Sequence, residues 1–453
     1  MEETDQIVRV FEWPWPTYFH GLPPGYKSIA QAVFLVFFRL SITFNLSFPI
    51  RSTAMASTLS DLTATITSAL SSLPPQDKIQ DAERMQLLEA INRLQAELEP
   101  PPVSIRRICF SHYSLVIIRV AQGMGVFDAF VESEGAHLSL QELSPKIEGD
   151  EKLLKRVMRF LCAHRIFKEV AGETYQPLPL AMAFGTGSVP GEMIKHFHAC
   201  MQASAKIFAY LEERGYKNPE DAYDAPFQLA YNTKEHYFDW LKKNPEVQKA
   251  FNAVMTTSQQ FRGEDWFEMF PVTEKLKLNT SEPSDRALLV DIGGGVGHDI
   301  KAFRNRFPKL TGQLILQDLP QVIGAIKEPL PGGITAIGHD MFKPQPIKGA
   351  KAYYLRTVLH DWPEKQALEA LSCIREAMAE DSILLIHEHT TPEGANVPPL
   401  AATLDFHMME MFSALERTEK EWVTLLEKAG FKVAKVWKGQ SNTHPVALFE
   451  ATL

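Results

Sequence analysis

Four cysteines in 453 residues, Cys109, Cys162, Cys200 and Cys373, are too few and too scattered for a disulfide framework. None sits in the close Cys or His pairing that a zinc site uses, so no metal site is expected. Positive charge is also short. Against 55 Asp and Glu stand 46 Lys and Arg, a net charge of -9. That balance argues against a protein built to hold nucleic acid, which needs a basic footprint. A clean membrane span is missing too. The apolar stretch from Ile29 to Ile50 is broken by Arg39 and Asn45, whereas a span needs ~20 mostly apolar residues. Glu2, Glu3 and Asp5 ahead of it do not make the basic start of a signal peptide. Reduced thiols and no stable membrane insertion together suggest a cytoplasmic protein.

What is present is enough apolar material, 45% against 22% charged, for packed cores in two domains with a tail. Residues 1–55 read as an extension. Pro14, Pro16, Pro23 and Pro24 lie among aromatics and suit no regular element. The extension reads as a membrane-associating segment, a disordered tail or a start placed too early, and the last two are favoured. Met55 offers a natural start. Asp81 is expected to cap a helix with Leu87, Ile91, Leu94 and Leu98 on one face, ended by Pro100 to Pro102. Val103 to Phe130 reads as one further apolar helix, broken at Gly123 to Gly125. Within residues 80–190, a helix at Leu138–Leu143, a second opened by Asp150 with Leu153, Val157, Phe160 and Leu161 on one face, and a hairpin turning at Ala171-Gly172 spell a winged helix. Residues 191–280 read as a helical connector with substrate-pocket helices, and Asn279 to Asp285 as a polar linker.

Residues 281–453 differ in kind. Leu288–Val290, Leu314–Leu316, Ile334–Ile337, Ala352–Leu355 and Ile383–Ile386 are short apolar runs with helical segments alternating between them. Strands without in-out alternation, separated by helices, indicate a parallel sheet covered on both faces. Val433–Val436 and Ala447–Glu450 read as a closing hairpin. The fold class is therefore α/β.

Asp291-Ile292-Gly293-Gly294-Gly295-Val296-Gly297-His298 follows the first strand and opens a helix. Glycines allow a sharp turn and a ligand against the backbone. The dinucleotide fingerprint fails, because His298 stands where its last glycine belongs. A ligand without a pyrophosphate, such as S-adenosylmethionine, escapes that objection. Asp318 ends the second strand, where a carboxylate can accept ribose hydroxyls. Asp340 after the third strand can meet an adenine amino group, and Met341 and Phe342 its faces. Taken alone, the glycines could form a plain tight turn and Asp318 a strand-end cap. Their order argues for a site.

Arg356-Thr357-Val358-Leu359-His360-Asp361-Trp362 follows the fourth strand, at the carboxyl edge where such sheets bind ligands. A phenol, pKa near ~10, stays protonated at neutral pH, and a histidine near ~6.5 can take its proton. Glu388 and Glu416 are candidates to orient that ring. His387 and His389 flank Glu388 but lack a third ligand, so metal is not expected there. Met408, Met409, Met411 and Phe412 could line an aromatic pocket or simply be core.

With these pieces in order, the chain from about Asp81 onward resembles the caffeic-acid-type O-methyltransferases of plants and their fungal secondary-metabolite relatives. The matching residues are Leu289 to Gly295, Gln317 to Pro320, Gly338 to Phe342, Leu359 to Trp362, and Glu416 to Thr418 with Glu421-Trp422. The resemblance implies a Rossmann-like methyltransferase domain behind an α-helical winged-helix dimerisation domain, and a homodimer. It implies S-adenosylmethionine held by Asp291, Gly293, Gly295, Asp318, Asp340, Met341, Phe342 and Arg356. It implies His360 as general base bracketed by Glu388 and Glu416, with a small aromatic substrate touching Asp361, Met408, Met409 and Phe412. Arg356 departs from the plant lysine, and Met411 to Leu415 replaces a glycine-rich plant loop. Fungal polyketide-type phenols are therefore expected over phenylpropanoids. Two rivals stand beside this reading. One is a winged-helix DNA-binding regulator, suggested by Lys152, Lys155, Arg156, Arg159 and Arg165. The other is a family member that binds the cofactor but does other chemistry.

Overall fold

The computed structural model describes residues 53–75, 78–260, 264–277, 286–394, 397–439 and 446–453. The expected extension before residue 53 and the linker Asn279–Asp285 lie outside the described residues. The chain divides into compact units at residues 1–104 and 105–453. The helix Val189–Ser204 packs on both Tyr113–Gly123 and Pro245–Gln260 and so knits the first module to the connector.

In the first unit, Asp81 is the first helical residue of Asp81–Leu98 and not its cap. The cap is Gln80, whose side chain makes no capping bond, and Asp81 pairs with Arg84 at 3.2 Å. No residue of that helix is buried.

The expected single helix from Val103 to Phe130 is three: Pro101–Phe110, Tyr113–Gly123 and Val126–Glu132. The glycine break is where it was expected, and a second falls at Ser111-His112. Leu138 starts a strand and not a helix. Strands β1 (Leu138–Ser139), β2 (Phe167–Ala171) and β3 (Thr174–Pro177) form a sheet in the order β1-β3-β2. A capping box between Ser139 and Glu142 opens the short helix Leu140–Leu143. Asp150 caps Glu151–Ala163 by accepting the Leu153 N–H at 2.9 Å. The buried face of that helix is Leu154, Val157, Met158 and Leu161, with half-buried Phe160 packed against the same core, so of the expected face only exposed Leu153 lies off it. The arrangement is the expected winged helix.

The second layer system is a seven-stranded sheet: β4 (Ala287–Ile292), β5 (Gln313–Asp318), β6 (Ile334–Gly338), β7 (Ala352–Arg356), β8 (Ile383–His389), β9 (Lys432–Lys438) and β10 (Val446–Thr452). Its order is β6-β5-β4-β7-β8-β10-β9. The first five are parallel, and β10 runs antiparallel to β8 and β9. Every residue of β4 is buried. Alternate residues feed opposite faces of a sheet. Thus Val290, Ile292, Tyr353 and Leu355 join a core with Trp422 and Leu426, while Leu314, Leu316, Tyr354 and Leu385 join another with Trp266 and Phe303. One expectation fails: residues 339–351 cross from β6 to β7 without a helix. Pro344 and Pro346 lie in that crossing and deny it helical hydrogen bonds. The chain order places the ends of β4, β5, β7 and β8 along one carboxyl edge.

Candidate active site

The glycine loop is held from below. Gly293 and Gly294 donate to the Gln317 carbonyl at 2.8 and 3.1 Å. A Cβ on Gly293 would lie 2.6 Å from Val358 Cγ2, and one on Gly294 2.6 Å from Asp291 Cγ. Buried Asp291 therefore sits beneath the loop, and Val358 fixes its distance from the His360 turn. Gly295 takes φ +60, and nothing lies within 4 Å of an added Cβ. That position faces open space.

Asp318 is locked at the end of β5. One carboxylate oxygen accepts the Gly295 N–H at 2.8 Å and the other the Leu319 N–H at 2.7 Å. Burial raises its pKa, and the two backbone bonds oppose that without cancelling it. A carboxylate offers about four lone-pair sites, so two remain for a ligand. Asp340 accepts the Phe342 N–H at 3.0 Å, which turns the chain after β6. The Phe342 ring meets Trp362 edge-on at 4.6 Å, and Met341 is half-buried beside the same core. Arg356, at the end of β7, pairs with Asp299 at 3.1 Å. It ties that strand to the helix His298–Arg306, which the loop opens.

His360 lies in the tight turn Leu359–Asp361 directly after β7. Thr357 just before it takes φ +46, a conformation rare for a β-branched residue. The turn is clamped from two sides. Glu388 Oε1 accepts the N–H of Val358 at 3.0 Å and of Leu359 at 2.9 Å. Buried Arg417 donates to the carbonyls of Leu359 at 3.1 Å and Trp362 at 2.9 Å. Strained backbone persists where its surroundings over-determine it.

The imidazole itself lies between carboxylates. Nδ1 is 3.2 Å from Glu416 Oε1, and Nε2 is 3.5 Å from Asp361 Oδ1. Glu416 is fixed in turn, since its N–H donates to Asp405 at 2.8 Å and Thr391 Oγ1 donates to its carbonyl at 3.2 Å. Burial alone would lower the His360 pKa. Asp361, the Glu416 bond and the Glu388 charge outweigh it and push the pKa up to about 10. Burial likewise raises Asp361 to about 6 and Glu388 to about 7, against the pull of His360. Glu416 goes down: burial raises it, but the His360 bond and the charges on His360, His389 and Arg417 prevail.

Of the two expected orienting carboxylates, Glu416 bonds to the ring and Glu388 holds its backbone. Met408 and Phe412 pack in a core with Phe227, Tyr237 and Leu241, and Met409 is also buried. The helix that carries them, Pro399–Phe412, lies against the His360 turn. Sequence reasoning missed Asp405 and the clamp role of Arg417. It also missed His196, Cys200 and His407, whose ligating atoms all lie within 4.8 Å of one another. The one-turn spacing of His196 and Cys200 was the available signal.

The O-methyltransferase domain family model matches residues 208–432, and the O-methyltransferase dimerisation domain model matches residues 107–187. The chain is 36% identical over 361 residues to the O-methyltransferase mfmE of Annulohypoxylon moriforme, covering 79% of this chain and 88% of that one. It is 32% identical over 374 residues to the demethylsterigmatocystin 6-O-methyltransferase of Aspergillus flavus, covering 82% and 95%. Among solved structures, LepI in complex with SAM aligns with a TM-score of 0.72 at 27% identity, over 88% of this chain and 99% of that one.

Proposed function

The chain belongs to the caffeic-acid-type O-methyltransferase family in its fungal secondary-metabolite branch, and from that premise we propose that it methylates a phenolic hydroxyl with His360 as general base and S-adenosylmethionine as donor. The observation that carries this reading is the His360–Glu416 bond, set at the end of β7 and spaced from the glycine loop by Val358.

The residues present fit the donor. Gly295 leaves open space, Asp318 keeps free acceptor capacity, and Asp340, Met341 and Phe342 follow at the next strand end. Asp291 and Arg356 act as positioning residues, one beneath the loop and one on the helix after it. When bound, the donor supplies a methyl group on a sulfonium, already activated for transfer. The chain's own contribution is alignment, which can lower a barrier by about 7–11 kcal/mol, and removal of the phenol proton.

Glu416 accepts from Nδ1–H and so presents Nε2 as the basic nitrogen. In the free protein the surrounding carboxylates keep the ring protonated. Positive charge entering the cleft disfavours the protonated ring and releases it to act as a base. Asp361 lies beside Nε2 and competes for its proton until a substrate hydroxyl takes that place. Met409 and the helix Pro399–Phe412 shape the substrate wall.

The dimerisation domain points to a homodimer. Leu87, Leu88, Ile91 and Leu98 are exposed on Asp81–Leu98, and a second copy supplies the cover such a face needs. Among the described residues no single helix is long and apolar enough to cross a membrane. The four cysteines are free, which fits a cytoplasmic setting.

The test is a metabolite extract incubated with the full chain and methyl-labelled donor. The reading expects label on an aromatic ether oxygen, found by mass spectrometry. Label on nitrogen or sulfur alone, or none at all, would refute it.

A further inference from the structure

Three ligating side chains meet outside the His360–Glu416 pair. His196 and Cys200 are one turn apart on Val189–Ser204, so they share a face of that helix. His407 comes from Pro399–Phe412. His196 Nε2 lies 3.6 Å from Cys200 Sγ. A tetrahedral zinc, with bonds of about 2.3 Å to sulfur and about 2.0–2.1 Å to nitrogen, has its sulfur and nitrogen ligands about 3.6 Å apart. The pair already stands at that spacing.

His407 is oriented for the same task. Its Nδ1 lies 2.9 Å from Oε1 of Glu410, a buried carboxylate. A metal-bound histidine characteristically gives its other ring N–H to such a group, which fixes the tautomer and presents Nε2. An ordinary core accounts for Cys200, which packs with Phe227 and Tyr237. Around the thiol, in a core that is otherwise apolar, converge two imidazoles and a carboxylate, paired as His196 with Cys200 and His407 with Glu410. His196 is only 3% exposed, and its Nδ1 has no hydrogen-bond partner among the described residues.

We propose that His196, Cys200 and His407 bind one zinc ion, with Glu410 holding His407 and a fourth position left open. Thiolate and imidazole donors select a borderline-soft ion over magnesium or calcium. The ion would join the two helices. One of them carries Asp405, which holds the backbone of Glu416. The ion would thus brace the helix that positions Glu416, and zinc binding itself does not depend on the methyl-transfer reading.

The experiment uses the full chain, stripped of metal and kept reduced. Zinc is titrated in competition with a chromophoric chelator, and cobalt is used as a spectroscopic stand-in. The proposal expects about one equivalent of zinc per chain and, with cobalt, tetrahedral visible bands plus a sulfur-to-metal charge-transfer band. Cys200→Ser should lose the charge-transfer band, and His407→Gln, which removes a ligand outright, should weaken zinc by more than the about 10–100-fold expected for losing its partner Glu410. Circular dichroism confirms that each variant is folded. Failure of the wild-type chain to take up stoichiometric zinc overturns the proposal by itself. Uptake unchanged by both substitutions in folded protein overturns it as well.

Discussion

Glu388 grips Leu359 and not His360: its Oε1 accepts the Leu359 N–H at 2.9 Å and the Val358 N–H at 3.0 Å. The strand-end carboxylate thus builds the turn that carries the base. Glu388→Gln keeps an oxygen that can accept these bonds, and turnover should stay within about tenfold of wild type. Glu388→Ala leaves the buried Leu359 N–H unpaired, at about 1–3 kcal/mol, and the partly buried Val358 N–H at less. Its melting temperature should fall along with turnover. A large loss in Glu388→Gln with unchanged stability would mean that the charge itself acts in the chemistry.

The base sits among carboxylates that favour its protonated form. A raised histidine pKa means that the active, neutral ring accumulates only as pH rises. The rate of methyl transfer at limiting donor and substrate, kcat/KM, should therefore climb into the alkaline range. Glu416→Gln and Asp361→Asn each remove a charge that raises the pKa, so each should move the rising limb to lower pH. The check is a kcat/KM–pH profile for the three proteins. A limb that stays in place in both variants contradicts the assignment.

Gly293 has no room for a side chain. An added methyl would meet Val358 Cγ2 at 2.6 Å, and the φ of +70 is itself unfavourable for alanine. Gly293→Ala should push the loop and the His360 turn apart and weaken donor binding, read by calorimetry. Gly295→Ala meets no protein atom, so any loss of donor affinity beyond the backbone cost of about 1–2 kcal/mol reports a ligand in that open space.

Arg417 holds two carbonyls with one planar fork. Lysine cannot reproduce that geometry. Arg417→Lys should lower the melting temperature and reduce kcat, while donor affinity changes by less than about threefold. Equal loss of donor affinity would place Arg417 in the cofactor site instead.

The centre of the sheet was legible because β4, β5, β7 and β8 are buried on both faces and read as unbroken apolar runs, such as Leu288 to Val290. The winged module was legible from its hairpin and from the Asp150 cap. Asp81 misled because a carboxylate in a first helical turn is as favourable as one at the cap. The face of Glu151–Ala163 was misjudged by one residue, since Leu153 and Leu154 are equally apolar and only packing separates them. Asp318 and His360 were legible from their places at strand ends. Asp405 and the clamp of Arg417 were not, because backbone contacts across long sequence separations leave no local pattern. The cluster of His196, Cys200 and His407 was half visible, as one turn of a helix whose third member lies far along the chain.

The central claim is tested most directly by measuring His360→Ala for donor affinity by calorimetry and for single-turnover methyl transfer to the substrate found in the labelled extract. The account predicts donor affinity within about threefold of wild type and a transfer rate lower by about 10²–10⁴-fold. Transfer within a few-fold of wild type, with the protein folded and the donor bound, would contradict it.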